Sequence, residues 1–110
     1  MKDTIKVIIK HPNQVVGEYK AIDNTLEALQ KVVGGYIELI SVQSDPEVLL
    51  ICNEEGKLQG LSHNFIITEK DTLKDLIVGP AIICGADGED FGDVPITLDE
   101  WHKILWDWGN

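Results

Sequence analysis

The densest run of chemically capable side chains is Asp87-Gly88-Glu89-Asp90-Phe91-Gly92-Asp93. Its four acids within seven residues are of the type that ligates Ca²⁺ or Mg²⁺ through oxygen. An EF-hand loop places acids at positions 1, 3 and 5, Gly at 6 and Glu at 12. Counted from Asp87, position 5 is Phe91 and position 12 is Leu98, so the register fails. A solvated acidic loop without metal is expected. Phe91, an aromatic ring inside so polar a segment, reads as an anchor into the core or as an interface residue.

Other reactive types are scattered. His11, His63 and His102 each occupy a separate segment, with no HxH, HExxH or Cys/His spacing to hold zinc. Ser41, Ser44 and Ser62 lack the GxSxG setting of an exposed nucleophile. No glycine-rich phosphate loop is present in either common form. Cys52 and Cys84 lie within the apolar runs LLICN and AIICG, which suits two reduced, buried thiols better than a disulfide. No catalytic residue and no cofactor are assigned.

One polar set can bind rather than react. Asn53, Lys57, His63 and Asn64 flank an expected hairpin and the loop after it. Turn chemistry accounts for Asn and Gly there, but the same residues make a rim able to hydrogen-bond a small ligand. Lys57 is its anion contact, assisted by His63. Near the C-terminal end, Leu98, Trp101, Leu105 and Trp108 form one helical stripe, widened by Ile104. Trp106 falls about 140° from Trp101 at 100° per residue, off the core face beside His102 and Lys103. An exposed Trp of this kind favours an oligomer or partner contact.

The elements that position these groups follow from periodicity. Residues 5–10 alternate as a strand, with Ile5, Val7 and Ile9 on one face and Lys6, Ile8 and Lys10 on a wet one. His11-Pro12-Asn13 turns into a second strand over 15–22, with Gly17 marking a bulge. Asn24 with Glu27 reads as a capping box for a short helix through Val33, stopped by Gly34-Gly35. Strands follow at 36–42 and 48–52, the latter apolar on both faces and so central. Asn53-Glu54-Glu55-Gly56 reads as a tight turn into a fifth strand over 57–61. Residues 65–76 fit either a strand or a helical turn capped by Asp71, and 77–84 reads as the last strand, kinked by Gly79-Pro80. Thr97 with Glu100 opens a final helix. These elements predict an α+β domain: a mostly antiparallel, curled or barrel-like sheet of about six strands with two main helices on one side.

The chain has 110 residues, 44% hydrophobic and 25% charged, which fits a single domain over 1–110. Its net charge is −10, with nine Lys and no Arg. That combination argues against duplex DNA, whose phosphates are neutralised by Lys and Arg. The charge is uneven: residues 1–20 carry +2 and residues 81–110 carry −6. No apolar run reaches the ~20 residues of a membrane span. The charged MKDTIKVIIK start does not read as a signal peptide, so a cytoplasmic protein is expected.

Three blocks carry a family resemblance: TLEALQKVVGGYIELI (25–40), ICNEEGKLQGLSHN (51–64) and DLIVGPAIICGADGEDF (75–91). Together they resemble a family of small proteins that share a domain of unknown function and occur in phages and mobile elements of Gram-positive bacteria. The resemblance spans residues 5–93. The family has a Pro-rich LPxN-like stretch where this chain has Leu61-Ser62-His63-Asn64, and a different tail where this chain has its tryptophans. The resemblance implies a context but no active site. It implies a non-enzymatic accessory protein acting by stoichiometric binding; a homo-oligomer in the host cytoplasm is expected beside it. The leading expectation is an anti-defence protein that sequesters a small nucleotide immune signal near 53–64. The alternative is an acidic inhibitor or DNA mimic that occupies a host defence protein.

Overall fold

The computed structural model describes residues 3–109. Eight strands and two helices run in the order β1 (Thr4–Lys10), β2 (Glu18–Asp23), α1 (Leu26–Val33), β3 (Ile37–Ser44), β4 (Glu47–Asn53), β5 (His63–Glu69), β6 (Thr72–Val78), β7 (Ala81–Asp87), β8 (Asp90–Gly92) and α2 (Leu98–Gly109). The α+β class and the antiparallel six-stranded sheet expected from sequence are what the chain forms. Strands β2-β1-β7-β4-β3 lie side by side in that order, β8 pairs with β7, and every pairing is antiparallel. Strands β5 and β6 form a separate two-stranded sheet.

The main sheet is apolar on both faces, because β4 and β7 are hydrophobic at consecutive positions. Ile51, Ile82 and Cys84 face one side, together with Ile5, Val7 and Ile9 of β1, and α1 covers them with Leu29 and Val33. Val48, Leu50, Cys52 and Ile83 face the other side. There α2 and the β5–β6 hairpin supply Trp101, Ile67 and Ile77. The two helices therefore lie on opposite faces of the sheet, not on one side as the sequence suggested. A single covered face would have left half of β4 and β7 in water. For the same reason the Lys6–Ile8–Lys10 face of β1 is wet only at Lys6: Ile8 is fully buried and Lys10 only 4% exposed.

Helix ends follow local chemistry. In α1 the cap is Thr25, whose hydroxyl accepts from Ala28 N at 3.1 Å, and not the expected Asn24. Asn24 instead donates its side-chain amide to Phe91 O at 3.1 Å. Gly34 ends α1 with φ of 81°, a left-handed conformation that glycine takes without Cβ strain. In α2 the expected capping box is present: Glu100 N donates to Thr97 Oγ1 and Thr97 N donates to Glu100 Oε1, both at 3.1 Å. Tyr19 Oη accepts from Leu98 N at 2.9 Å, and Trp101 Nε1 donates to Val16 O at 3.0 Å, which pins α2 to the start of β2. Phe65, Trp101 and Trp108 close the layer as an aromatic triangle with centroids 5.6–5.9 Å apart.

Two stretches depart from the sequence reading. Residues 57–61 are not a strand. They belong to a wound loop in which Gln59 N donates to Glu55 O and Leu61 N to Gly56 O, both at 3.0 Å. Residues 65–76 resolve as the β5–β6 hairpin, without the helical turn at Asp71. Its turn residues Lys70 and Asp71 have φ of 51° and 63°, the geometry two-residue hairpins demand. Neither residue announces that geometry as Asn-Gly would, which hid the hairpin from sequence. Gly79-Pro80 separates β6 from β7, where one strand over 77–84 was expected.

The double substitution Lys70→Asn and Asp71→Gly should stabilise the fold by about 1 kcal/mol, since left-handed φ is strained for Lys and free for Gly. Urea denaturation reads this as a raised midpoint. Trp101→Ala should lower stability by roughly 3–5 kcal/mol in the same assay, because it empties the centre of the α2 layer.

Candidate functional site

The residues expected to line one rim are shared between different parts of the molecule. Asn53, at the end of β4, is buried and fully engaged. Its Nδ2 donates to Val33 O and to Gln59 Oε1, both at 3.1 Å, and its Oδ1 accepts from Glu55 N at 2.8 Å. Val33 O belongs to the last turn of α1, whose carbonyls lack intrahelical donors. A single amide thus ends the helix, starts the wound loop and joins the two.

Lys57 sits on that loop, with its Nζ 2.8 Å from Asp75 Oδ1 on β6. The hydrogen bond to Asp75 and its charge hold the ammonium above the ordinary lysine value. Together with Glu38, Cys52 and Asn53 the pair lines a small polar cleft of about 160 Å³. Cys52 Sγ points at Glu38 Oε1, 3.7 Å away. Burial first, then the Glu38 charge, push the Cys52 thiol up to about 12. Burial alone does the same for Cys84. Both cysteines are free and buried, and neither is a nucleophile near neutral pH.

Asn64 lies elsewhere, in β5. It donates to Lys10 O and to Gly79 O, both at 2.8 Å, and accepts from Lys10 Nζ. His63 is exposed at the start of β5 and lines neither of the clefts beside Asn53. Phe91 is half-buried against the α1-side core, so its ring acts as an anchor of the β7–β8 turn. Trp106 is 65% exposed beside His102, Lys103 and Asp107, off the core stripe as its helical position required. Among the described residues no group of His, Cys, Asp or Glu is arranged to hold a metal ion. No helix is long and apolar enough to cross a membrane.

A broad concavity opens on the α1 side of Asn53. Gln30, Lys31, Gly34, Gly35, Tyr36 and Gln59 line a groove of about 530 Å³ together with Glu27 and Glu55. Tyr36 is 66% exposed, although its carbonyl is fixed by Glu54 N at 2.8 Å. A held backbone with a presented ring offers a stacking surface. Lys31 supplies the cation of the groove, and Gln30 and Gln59 supply amides. Sequence reading found Asn53 here but missed Tyr36, Lys31 and Gln59. The sequence pattern makes Tyr36 the first residue of a strand, and the cue to its exposed position is an aromatic directly after a helix-ending Gly-Gly.

The chain belongs to the DUF3846 family, a domain of unknown function, whose model matches residues 5–104. The match runs past the 5–93 of the sequence resemblance and takes in most of α2, including Trp101, while Trp106 and Trp108 lie beyond it. No curated protein and no solved structure matches the chain.

Asn53→Ala should lower stability by about 2–3 kcal/mol, because it strands the Val33 carbonyl, whereas Lys57→Ala should stay within roughly 0.5 kcal/mol. Paired urea titrations measure both. The thiols give a pH signature. Their folded values near 12 stand above the ordinary 9.0, so the native state holds more protons than the unfolded chain in that interval. Their contribution to stability is intact below pH 9.0 and is lost as the pH rises toward about 12. Denaturation midpoints across that interval should fall, and a Cys52→Ala, Cys84→Ala double variant should flatten the fall.

Proposed function

We propose that the protein is a non-enzymatic accessory protein of phage or mobile-element origin that acts by stoichiometric binding. Its ligand is a small nucleotide signal of host immunity, which it sequesters in the groove beside Tyr36. The observation that carries this reading is the exposed Tyr36 ring on a fixed backbone, next to Lys31, Gln30 and Gln59 in a groove of about 530 Å³. A nucleobase stacks on such a ring without sequence-specific contacts, and the amides read its edge. The groove volume is that of small-ligand sites. One lysine in a lining that also holds Glu27 and Glu55 suits a ligand of low charge, such as a cyclic or mono-phosphate, rather than a polyphosphate. The phage context rests on the family resemblance, and the protein works in the host cytoplasm, as a homo-oligomer.

A second reading follows from the acidic C-terminal part of the sequence. Asp87, Glu89 and Asp90 are exposed on the β7–β8 turn, and Trp106 presents its ring in the same acidic C-terminal part of the chain. The exposed acids fit a protein–protein inhibitor or DNA mimic that docks on a basic host defence protein, with Trp106 as a separate contact on the α2 side.

Titration calorimetry with a panel of cyclic and linear nucleotides separates the readings. Sequestration predicts heat with at least one nucleotide, and a loss of about tenfold or more in affinity for Tyr36→Ala, since one base stack is worth ~1–3 kcal/mol. Absence of heat across the panel overturns it. The inhibitor reading predicts salt-sensitive capture of a basic host protein that Asp87→Lys with Asp90→Lys abolishes.

A further inference from the structure

Lys10 stands at the end of β1 with 4% of its surface exposed. Its ammonium donates to Asn64 Oδ1 and lies 5.6 Å from the centre of the Phe65 ring. Asn64 cannot turn away, because its own amide donates to the carbonyls of Lys10 and Gly79. An ammonium carries three N–H donors, and the amide oxygen takes one. Although the chain has nineteen acids, no carboxylate among the described residues is within ion-pair distance of Lys10. An amide oxygen and a ring face compensate a buried cation only in part. In keeping with this, burial holds the amine below the ordinary lysine value.

The same lysine lines a cavity of about 350 Å³ between the β1–β2 turn, β5 and the end of α2. Pro12, Val15, Phe65 and Leu105 form its apolar walls. Gln14 also faces it, and its Oε1 is taken by His11 N at 2.8 Å, which leaves its NH₂ group as the donor. One ammonium and one amide match the two oxygens of a monoanion. They fall short of the donors that a phosphate dianion recruits.

We infer that this cavity binds a small monocarboxylate with an apolar body, the carboxylate on Lys10 Nζ and the body against Phe65, Val15 and Leu105. Asn64 is then a positioning residue, holding the ammonium toward the cavity. The site lies on the α2 side of the sheet, across from the Tyr36 groove, and does not depend on the function proposed for that groove.

Nuclear magnetic resonance titration of the ¹⁵N-labelled full chain tests the inference, with benzoate as probe and benzamide and inorganic phosphate as controls. Benzoate should give saturable shifts at Val15, Asn64, Phe65 and Leu105, and both controls should bind at least about tenfold more weakly. Lys10→Met keeps the volume and apolar stem and should lose benzoate binding while remaining folded. Gln14→Glu serves if Lys10→Met unfolds. It keeps the acceptor for His11 N–H, places a negative charge in the lining of the cavity, and should weaken benzoate about tenfold or more. The inference is overturned if benzoate gives no saturable shift, if benzamide binds equally well, or if the folded variants bind benzoate as the parent does.

Discussion

Burial of β4 and β7 on both faces is the constraint on which the rest of the molecule depends. Leu49 to Cys52 and Ala81 to Cys84 are apolar without alternation, so neither face of the central sheet tolerates water. Each face must find a cover, and the chain supplies two that differ in kind. On one side a short helix brings Leu29 and Val33. On the other, a longer helix and a two-stranded hairpin meet around Phe65, Trp101 and Trp108. A helix as short as α1 is not stable alone, so its position is set by the sheet it covers.

The seams between these layers are polar and few. Asn53 joins α1 to the wound loop, Asn64 joins β5 to β1 and to Gly79, and Tyr19 with Trp101 joins α2 to β2. No buried side-chain nitrogen or oxygen among the described residues lacks a partner. Cavities open where these seams reach the surface, because a layer edge held by one amide leaves space on either side of it. The Tyr36 groove and the Lys57–Asp75 cleft are the two sides of the Asn53 seam, and the Lys10 cavity borders the Asn64 seam.

The α+β class, the strands at 4–10 and 47–53, both helices and the exposure of Trp106 were legible in the sequence because each rests on local periodicity or a local cap. The placement of the helices was not. Periodicity tells which residues of Leu29 or Trp101 kind are buried, but not on which face of a sheet they are buried. Lys10 follows the same rule: alternation puts it on a polar face, and only the arrival of α2 and β5 makes its end of that face interior. Asn53 and Asn64 were singled out as polar groups near turns, which they are. Their engagement with Val33 O and with Lys10 depends on contacts across 20 and 54 residues, which no local pattern carries. The turn at Lys70-Asp71 escaped because its geometry is imposed by the flanking strands rather than by residues that prefer it.

The position of β7 also sets an order of assembly. Strands β1–β2 and β3–β4 are each local hairpins, yet they do not touch as sheet neighbours; β7 lies between β1 and β4 and pairs with both. During synthesis, at about 5–20 residues per second, both hairpins leave the ribosome well before the strand that unites them. Until Ala81–Asp87 emerges, each hairpin presents an unpaired apolar edge, and the nascent chain consists of two half-sheets without a centre. Strand β7 therefore acts as the seam of the sheet, and α2 lies across one face of the result. Contact between the two halves of the sheet thus rests on a single strand that belongs to neither hairpin.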